Sequence, residues 1–128
     1  MRFPVTASLL CVLSLSLQSC IVVAAGAVAG AAYGAVSYHN NEATMEVSND
    51  LPKVFAAAKK ALRKLSFPVD DTQVASPTEG TLKAGDAKVI VERQPGGSTR
   101  VRAIVGTFDT ADNERRAKLI LEEIKVAL

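Results

Sequence analysis

Two stretches of the chain repeat apolar residues every three or four positions, the spacing of one face of an α-helix. The first stretch predicts a helix over residues 51–65, with N-cap candidates at 48–50, Pro52 in the first turn and Pro68 beyond its end. The second predicts a helix from about residue 110 to residue 128. Each predicted helix has one apolar face, so we expect another element to cover it.

Elsewhere in residues 43–108, apolar and polar residues alternate with the period of a β-strand. This pattern predicts strands at residues 43–47, 69–75, 81–84, 87–93 and 99–108. The last two strands can be aligned so that Val89 lies opposite Ala103. The same register sets Glu92 opposite Arg100, so that apolar faces apolar and acid faces base.

The order strand, helix, four strands, helix predicts an α+β fold with two layers. We expect an antiparallel sheet of about five strands, with both helices on one face, because each helix has one apolar stripe and the strands alternate. A polar break at residues 39–42 marks the expected start of a soluble α+β domain over residues 41–128.

The N-terminus follows a different pattern. Arg2 precedes an apolar run over residues 3–17 that is short for a membrane span. Residues 17–20 (Leu-Gln-Ser-Cys) then resemble the lipobox of bacterial lipoproteins, although Gln18 replaces the usual small residue. That resemblance implies a signal peptide over residues 1–19 and acylation of Cys20. An ordinary secretory signal and an uncleaved anchor over residues 3–38 are the alternatives.

Residues 21–38 contain no charged side chain, and Gly26, Gly30 and Gly34 recur at every fourth position. This spacing would line one face of a helix and let two membrane helices approach closely. We favour an Ala/Gly-rich spacer beside the anchor, because glycine is unfavourable in isolated helices and a lipoprotein already has its anchor. We therefore treat residues 20–40 as a membrane-proximal segment, with self-association as an open alternative.

Composition narrows the remaining function classes. The net charge of +2 over 128 residues argues against nucleic acid as a partner. Cys11 would leave with the signal and Cys20 would carry lipid, so no thiol would remain for a disulfide, a metal or a nucleophile. His39 is the single histidine, and no metal, cofactor or catalytic motif is recognisable. We expect a binding or scaffolding protein and not an enzyme.

One charged surface is a candidate contact. Lys59, Lys60, Arg63 and Lys64 would lie on the polar side of the first helix, where they can meet anionic lipid, lipopolysaccharide or cell wall. We favour the alternative of a solvated helix face, whose basic residues near the C-terminus interact favourably with the helix dipole.

The chain as a whole resembles a family of small bacterial lipoproteins of uncharacterised function. The matching features are the lipobox, the Ala/Gly-rich segment through Tyr38, residues 51–58, residues 105–108 (Val-Gly-Thr-Phe) and residues 119–124 (Leu-Ile-Leu-Glu-Glu-Ile). The resemblance implies a cell-envelope location, and Ile21 after the cysteine favours the outer membrane, facing the periplasm. It supplies no catalytic residue. At the strand end we expect Gly106 to allow close packing and Phe108 to pack beneath the last helix.

Overall fold

The computed structural model of the protein describes residues 35–128, which form one antiparallel sheet and two helices. The elements in chain order are β1 (Ser37–His39), β2 (Glu42–Val47), α1 (Leu51–Lys64), β3 (Glu79–Ala84), β4 (Ala87–Arg93), β5 (Thr99–Val105) and α2 (Ala111–Ala127). The strand order across the sheet is β1-β2-β5-β4-β3, and every neighbouring pair is antiparallel. The predicted α+β fold with five strands and two helices is confirmed.

The core lies between one face of the sheet and the apolar stripes of both helices. Leu62 of α1 and Leu121 of α2 are fully buried there, together with Val89 and Val101 of the central strands. Burying a leucine of this kind stabilises the fold by about 1.5–3 kcal/mol. The predicted β4–β5 register is confirmed, because Val89 pairs with Ala103 and Glu92 with Arg100.

Residues 69–75 are not a strand, so that prediction is wrong. The side chain of Asp70 accepts hydrogen bonds from the backbone N–H and the hydroxyl of Thr72, at 2.9 and 2.7 Å, which turns the chain. The Gln73 side-chain amide then accepts from the backbone N of Lys83 at 2.7 Å and donates to its O at 3.1 Å. One amide side chain therefore makes the pair of bonds that a sixth strand would have made along the β3 edge.

The fifth strand of the sheet is β1 instead, whose residues were predicted to belong to the membrane-proximal segment. Asn40 and Asn41 join β1 to β2, with φ angles of 49° and 60°. Two consecutive left-handed residues form the hairpin turn that matches strand twist, and asparagine tolerates that conformation. The boundary predicted between residues 40 and 41 thus falls inside a β-hairpin.

The end of β5 shows one confirmed expectation and one that is wrong. Gly106 has φ +68°, and a Cβ there would lie 2.5 Å from Nδ2 of Asn113, so the close packing expected at this position is present. Phe108 does not pack beneath α2, since 74% of it is exposed. Its backbone O instead accepts a 2.9 Å hydrogen bond from Asn113, which fixes the turn into α2.

Candidate functional site

The face of the sheet that neither helix covers carries mostly polar side chains from all five strands, and we call it the open sheet face. Its members are Ser37, His39, Glu42, Thr44, Glu46, Glu79, Thr81, Lys83, Lys88, Ile90, Glu92, Arg100, Arg102 and Ile104. They share this face because successive residues of a strand point to opposite sides, and their neighbours point into the core.

A groove of about 620 Å³ crosses the open sheet face over β2, β4 and β5. Three glutamates and two arginines line it: Glu42, Glu46, Glu92, Arg100 and Arg102. Their formal charges sum to −1, so the groove has a slight acidic excess. Ser37 and Thr44 add hydroxyl groups to its lining. The groove thus presents charged and neutral hydrogen-bonding groups to whatever enters it.

Arg102 is the centre of this charge network. Its guanidinium lies 2.6 Å from Glu92 Oε1 and 3.4 Å from Glu42 Oε2. About 29% of the arginine side chain is exposed, so the two ion pairs are partly shielded from water. Its Nε atom is buried and has no hydrogen-bond partner among residues 35–128. Arg100 makes a more exposed pair, with its Nη2 3.0 Å from Glu46 Oε1.

Ile90 gives the open sheet face an apolar centre. It pairs with Arg102 on one side and Thr81 on the other, and only 7% of it is exposed. It does not belong to the core cluster, so the charged side chains around it provide its cover. The long apolar stems of arginine can bury a neighbouring isoleucine while their guanidinium groups stay wet. Glu92 and the arginines were predicted on neighbouring strands, but Glu46 and Glu42 are 54 and 60 residues from their arginine partners, so their part in the network was not predicted.

The predicted basic surface lies on α1, whose polar side carries basic residues and no acidic one: Lys53, Lys59, Lys60, Arg63 and Lys64. The structure compensates part of this charge. Arg63 pairs with the carboxylate of Asp71, and Lys64 Nζ lies 2.7 Å from Glu123 Oε2 on α2. Both side chains are therefore engaged in ion pairs within the domain.

Lys59 has a different environment from its neighbours. Its Nζ donates to the backbone O of Asp71 at 3.3 Å and lies 5.3 Å from the centroid of the Phe55 ring. Lys53 and Lys60 are exposed on the same helix. Neither makes an ion pair with another of residues 35–128.

Two further sets of polar side-chain contacts lie at the edges of the fold. Arg116 of α2 contacts both carboxylate oxygens of Asp86, at 2.7 and 2.9 Å, and these hydrogen bonds lower the pKa of Asp86. The Tyr38 hydroxyl lies 3.0 Å from Asp109 Oδ1 and 3.1 Å from Asn41 Oδ1. Desolvation and the contact with Asp109 raise the pKa of Tyr38. These contacts tie the β3–β4 turn and β1 to the α2 end of the domain.

Some predicted sites lie outside the described residues, namely Cys20 and the glycines at 26, 30 and 34. Within residues 35–128, no three His, Cys, Asp or Glu side chains are grouped so as to hold a metal ion. Neither helix of that part is long and apolar enough to cross a membrane.

A family described as proteins of unknown function, DUF3568, matches residues 4–126. The chain belongs to the DUF3568 family. The match covers nearly the whole sequence, including the N-terminal apolar run, the Ala/Gly-rich segment and the α+β domain. No curated protein of known function matches the chain.

Proposed function

We propose that this DUF3568 protein is a lipid-anchored protein of the bacterial cell envelope whose α+β domain acts by binding or scaffolding. The Leu-Gln-Ser-Cys sequence at residues 17–20, behind Arg2 and an apolar run, supports the anchor. Two or three acyl chains hold a protein durably at a membrane, whereas one chain holds it only marginally. Ile21 favours the outer membrane, facing the periplasm.

The groove on the open sheet face is the observation that carries the binding role. It combines a half-buried arginine between two glutamates with a second ion pair, neither of which the two-layer core requires. A protein, cell wall or lipopolysaccharide with alternating charges would find matching groups there. The proposal includes no catalytic step, no cofactor and no nucleic-acid contact.

Metabolic labelling with a fatty-acid analogue tests the anchor. We expect the wild-type protein to take up the label and Cys20→Ser to lose it completely, because the thiol is the acceptor. Cys11→Ser is the matched control, since it removes the other cysteine from within the signal and should leave labelling intact. Equal labelling of wild type and Cys20→Ser would refute the anchor.

Self-association through a membrane helix is the second candidate, and the spacing of Gly26, Gly30 and Gly34 favours it. Leucine at all three positions would separate packed helices by adding bulk where the backbones meet. We then expect the oligomer in mild detergent to dissociate to monomers in size-exclusion chromatography with light scattering. The matched control places leucine at Ala25, Ala29 and Ala32, off the glycine stripe. An unchanged oligomer in the glycine variant would exclude this candidate.

A further inference from the structure

A second groove, of about 490 Å³, runs between the start of α1 and the coil over residues 73–77. Most of its lining is apolar: Leu51, Pro52, Phe55, Val74, Ala75 and Pro77. Val74 is 82% exposed at its rim, the largest exposed fraction among the bulky apolar residues described. An apolar side chain held in water on a coil, beside an apolar groove, marks a contact surface.

One cation lines this groove on the helix side, and two more lie on the outward side of the same helix. Lys59 lines it directly, and no acidic residue does. Lys53 and Lys60 are seven positions apart, which is about two helical turns, so they form one row beside the row of Pro52 and Lys59. All four side chains belong to the outward side of α1, away from the residues that it buries.

We propose that Pro52, Lys53, Lys59, Lys60 and Val74 form a docking surface for an anionic phospholipid membrane. This inference rests on the proposed function, because it assigns to the anchored domain the membrane itself as a partner. Val74 and Pro52 enter the interfacial layer of the membrane, and the three lysines contact phosphate groups there. Such a membrane has negative phosphate groups at its surface and an apolar layer beneath them, so it matches both the lysines and the apolar residues of this surface.

Acidic side chains also lie near the groove: Asp50 and Glu79 are exposed beside its lining residues, and Asp70 and Asp71 lie in the coil after α1. The carboxylate of Asp71 is paired with Arg63. Asp70 accepts two hydrogen bonds from Thr72, which lower its pKa and keep it ionised, so its charge reduces the positive potential of this side of the domain. The cations of α1 that make no ion pair with another of residues 35–128 are Lys53, Lys59 and Lys60, and of these Lys59 lines the groove.

Because the segment between Cys20 and the domain is short, a docking surface of low intrinsic affinity is enough to hold the domain against the membrane. Fifteen positions separate Cys20 from Ala35, and a chain of that length reaches at most about 50 Å. A domain held that close to a membrane meets it at a high effective concentration, so docking becomes an intramolecular step. Docking through this surface would turn the open sheet face away from the membrane.

Fluorescence of a dye at position 74 tests the docking. In the acylated mature protein, Val74→Cys supplies the single free thiol, which is coupled to an environment-sensitive dye. The protein is reconstituted into phosphatidylcholine vesicles with or without phosphatidylglycerol. We expect a blue shift of dye emission with phosphatidylglycerol only, reversed at 1 M salt, where the screening length falls to about 3 Å. The matched position is Glu46→Cys on the open sheet face, where no shift is expected.

Charge-reversal variants test which lysines contact the membrane. Lys53→Glu with Lys60→Glu should abolish the shift at position 74. Lys83→Glu with Arg93→Glu changes the net charge equally at other exposed sites and should retain it. Identical emission from both vesicle types, an equal shift at position 46, or equal loss in both charge pairs would overturn the docking surface.

Failure of the anchor is separable from failure of docking. The protein without Val74→Cys takes up no thiol dye if Cys20 is acylated, and dye uptake there would refute the anchor. The docking surface is then tested by adding Cys11→Ser/Cys20→Ser/Val74→Cys protein, whose single thiol is at position 74, to the same vesicles, with the same outcomes expected.

Discussion

Gly80→Ala should lower the free energy of unfolding by about 1–3 kcal/mol, the usual cost of overpacking a core. A Cβ at this position would lie 2.7 Å from two ring atoms of Phe55 and 2.8 Å from Cβ of Ala75. Both neighbours are themselves held, Phe55 in the buried face of α1 and Ala75 in the coil against the core. Neither can retreat without opening the packing between α1 and β3. Urea denaturation measures the loss.

Two variants make this prediction specific. Gly96→Ala adds the same methyl group in open space, so we expect it to leave stability unchanged or raise it by about 0.4–1 kcal/mol. In a Phe55→Leu background the ring atoms are gone, and Gly80→Ala should cost less than in the wild type. If Gly80→Ala and Gly96→Ala have the same effect, the contact between Gly80 and Phe55 is not as described.

Leu121→Ala should destabilise the domain by about 2–5 kcal/mol, because it opens a cavity where the two helices meet the sheet. Leu121 is fully buried in α2 and belongs to the core cluster. A loss of that size is a large part of the 5–15 kcal/mol that holds a typical domain folded. Thermal and urea denaturation should both show it.

Leu119→Ala is the matched control, since it makes the same truncation two positions earlier on the same helix. Leu119 is 45% exposed, and alanine is the better helix former, so we expect a change within about 1 kcal/mol. Equal losses at positions 119 and 121 would contradict the assignment of the buried face of α2.

Periodicity predicted the central elements because their environments are simple. β4 and β5 lie between two other strands and have one buried face, so strict alternation follows and fixes the register of Val89 opposite Ala103. The helices likewise expose one side and bury the other. Residues such as Leu62 and Ile120 were therefore recognisable from spacing alone.

The edges of the sheet were not predictable from alternation, because side chains there replace backbone contacts. Gln73 bonds Lys83 in place of a strand, and its alternating neighbours Val69 to Ala75 gave a false strand signal. The pair Asn40–Asn41 was the missed signal for β1, since two asparagines between short extended segments favour a hairpin turn. The exposed Phe108 shows a further limit, because the hydrogen bond that fixes its turn uses its backbone.

The candidate sites also differ in how far the sequence alone predicted them. The basic residues of α1 were visible in the sequence because they share one helix. The sequence did not show that these residues differ in environment, because Arg63 is paired with Asp71 of the coil after the helix and Lys64 with Glu123 of α2. The Glu42–Arg102–Glu92 network required the strand order β2-β5-β4, which brings its members together.

The mass of the N-terminal peptide of the mature protein tests the central claim most directly. Mass spectrometry of the protein purified from membranes should find a peptide that begins at Cys20 and carries diacylglycerol, with or without a further acyl chain. A peptide that retains residues 1–19, or one in which Cys20 is unmodified, would contradict the proposed lipid-anchored protein.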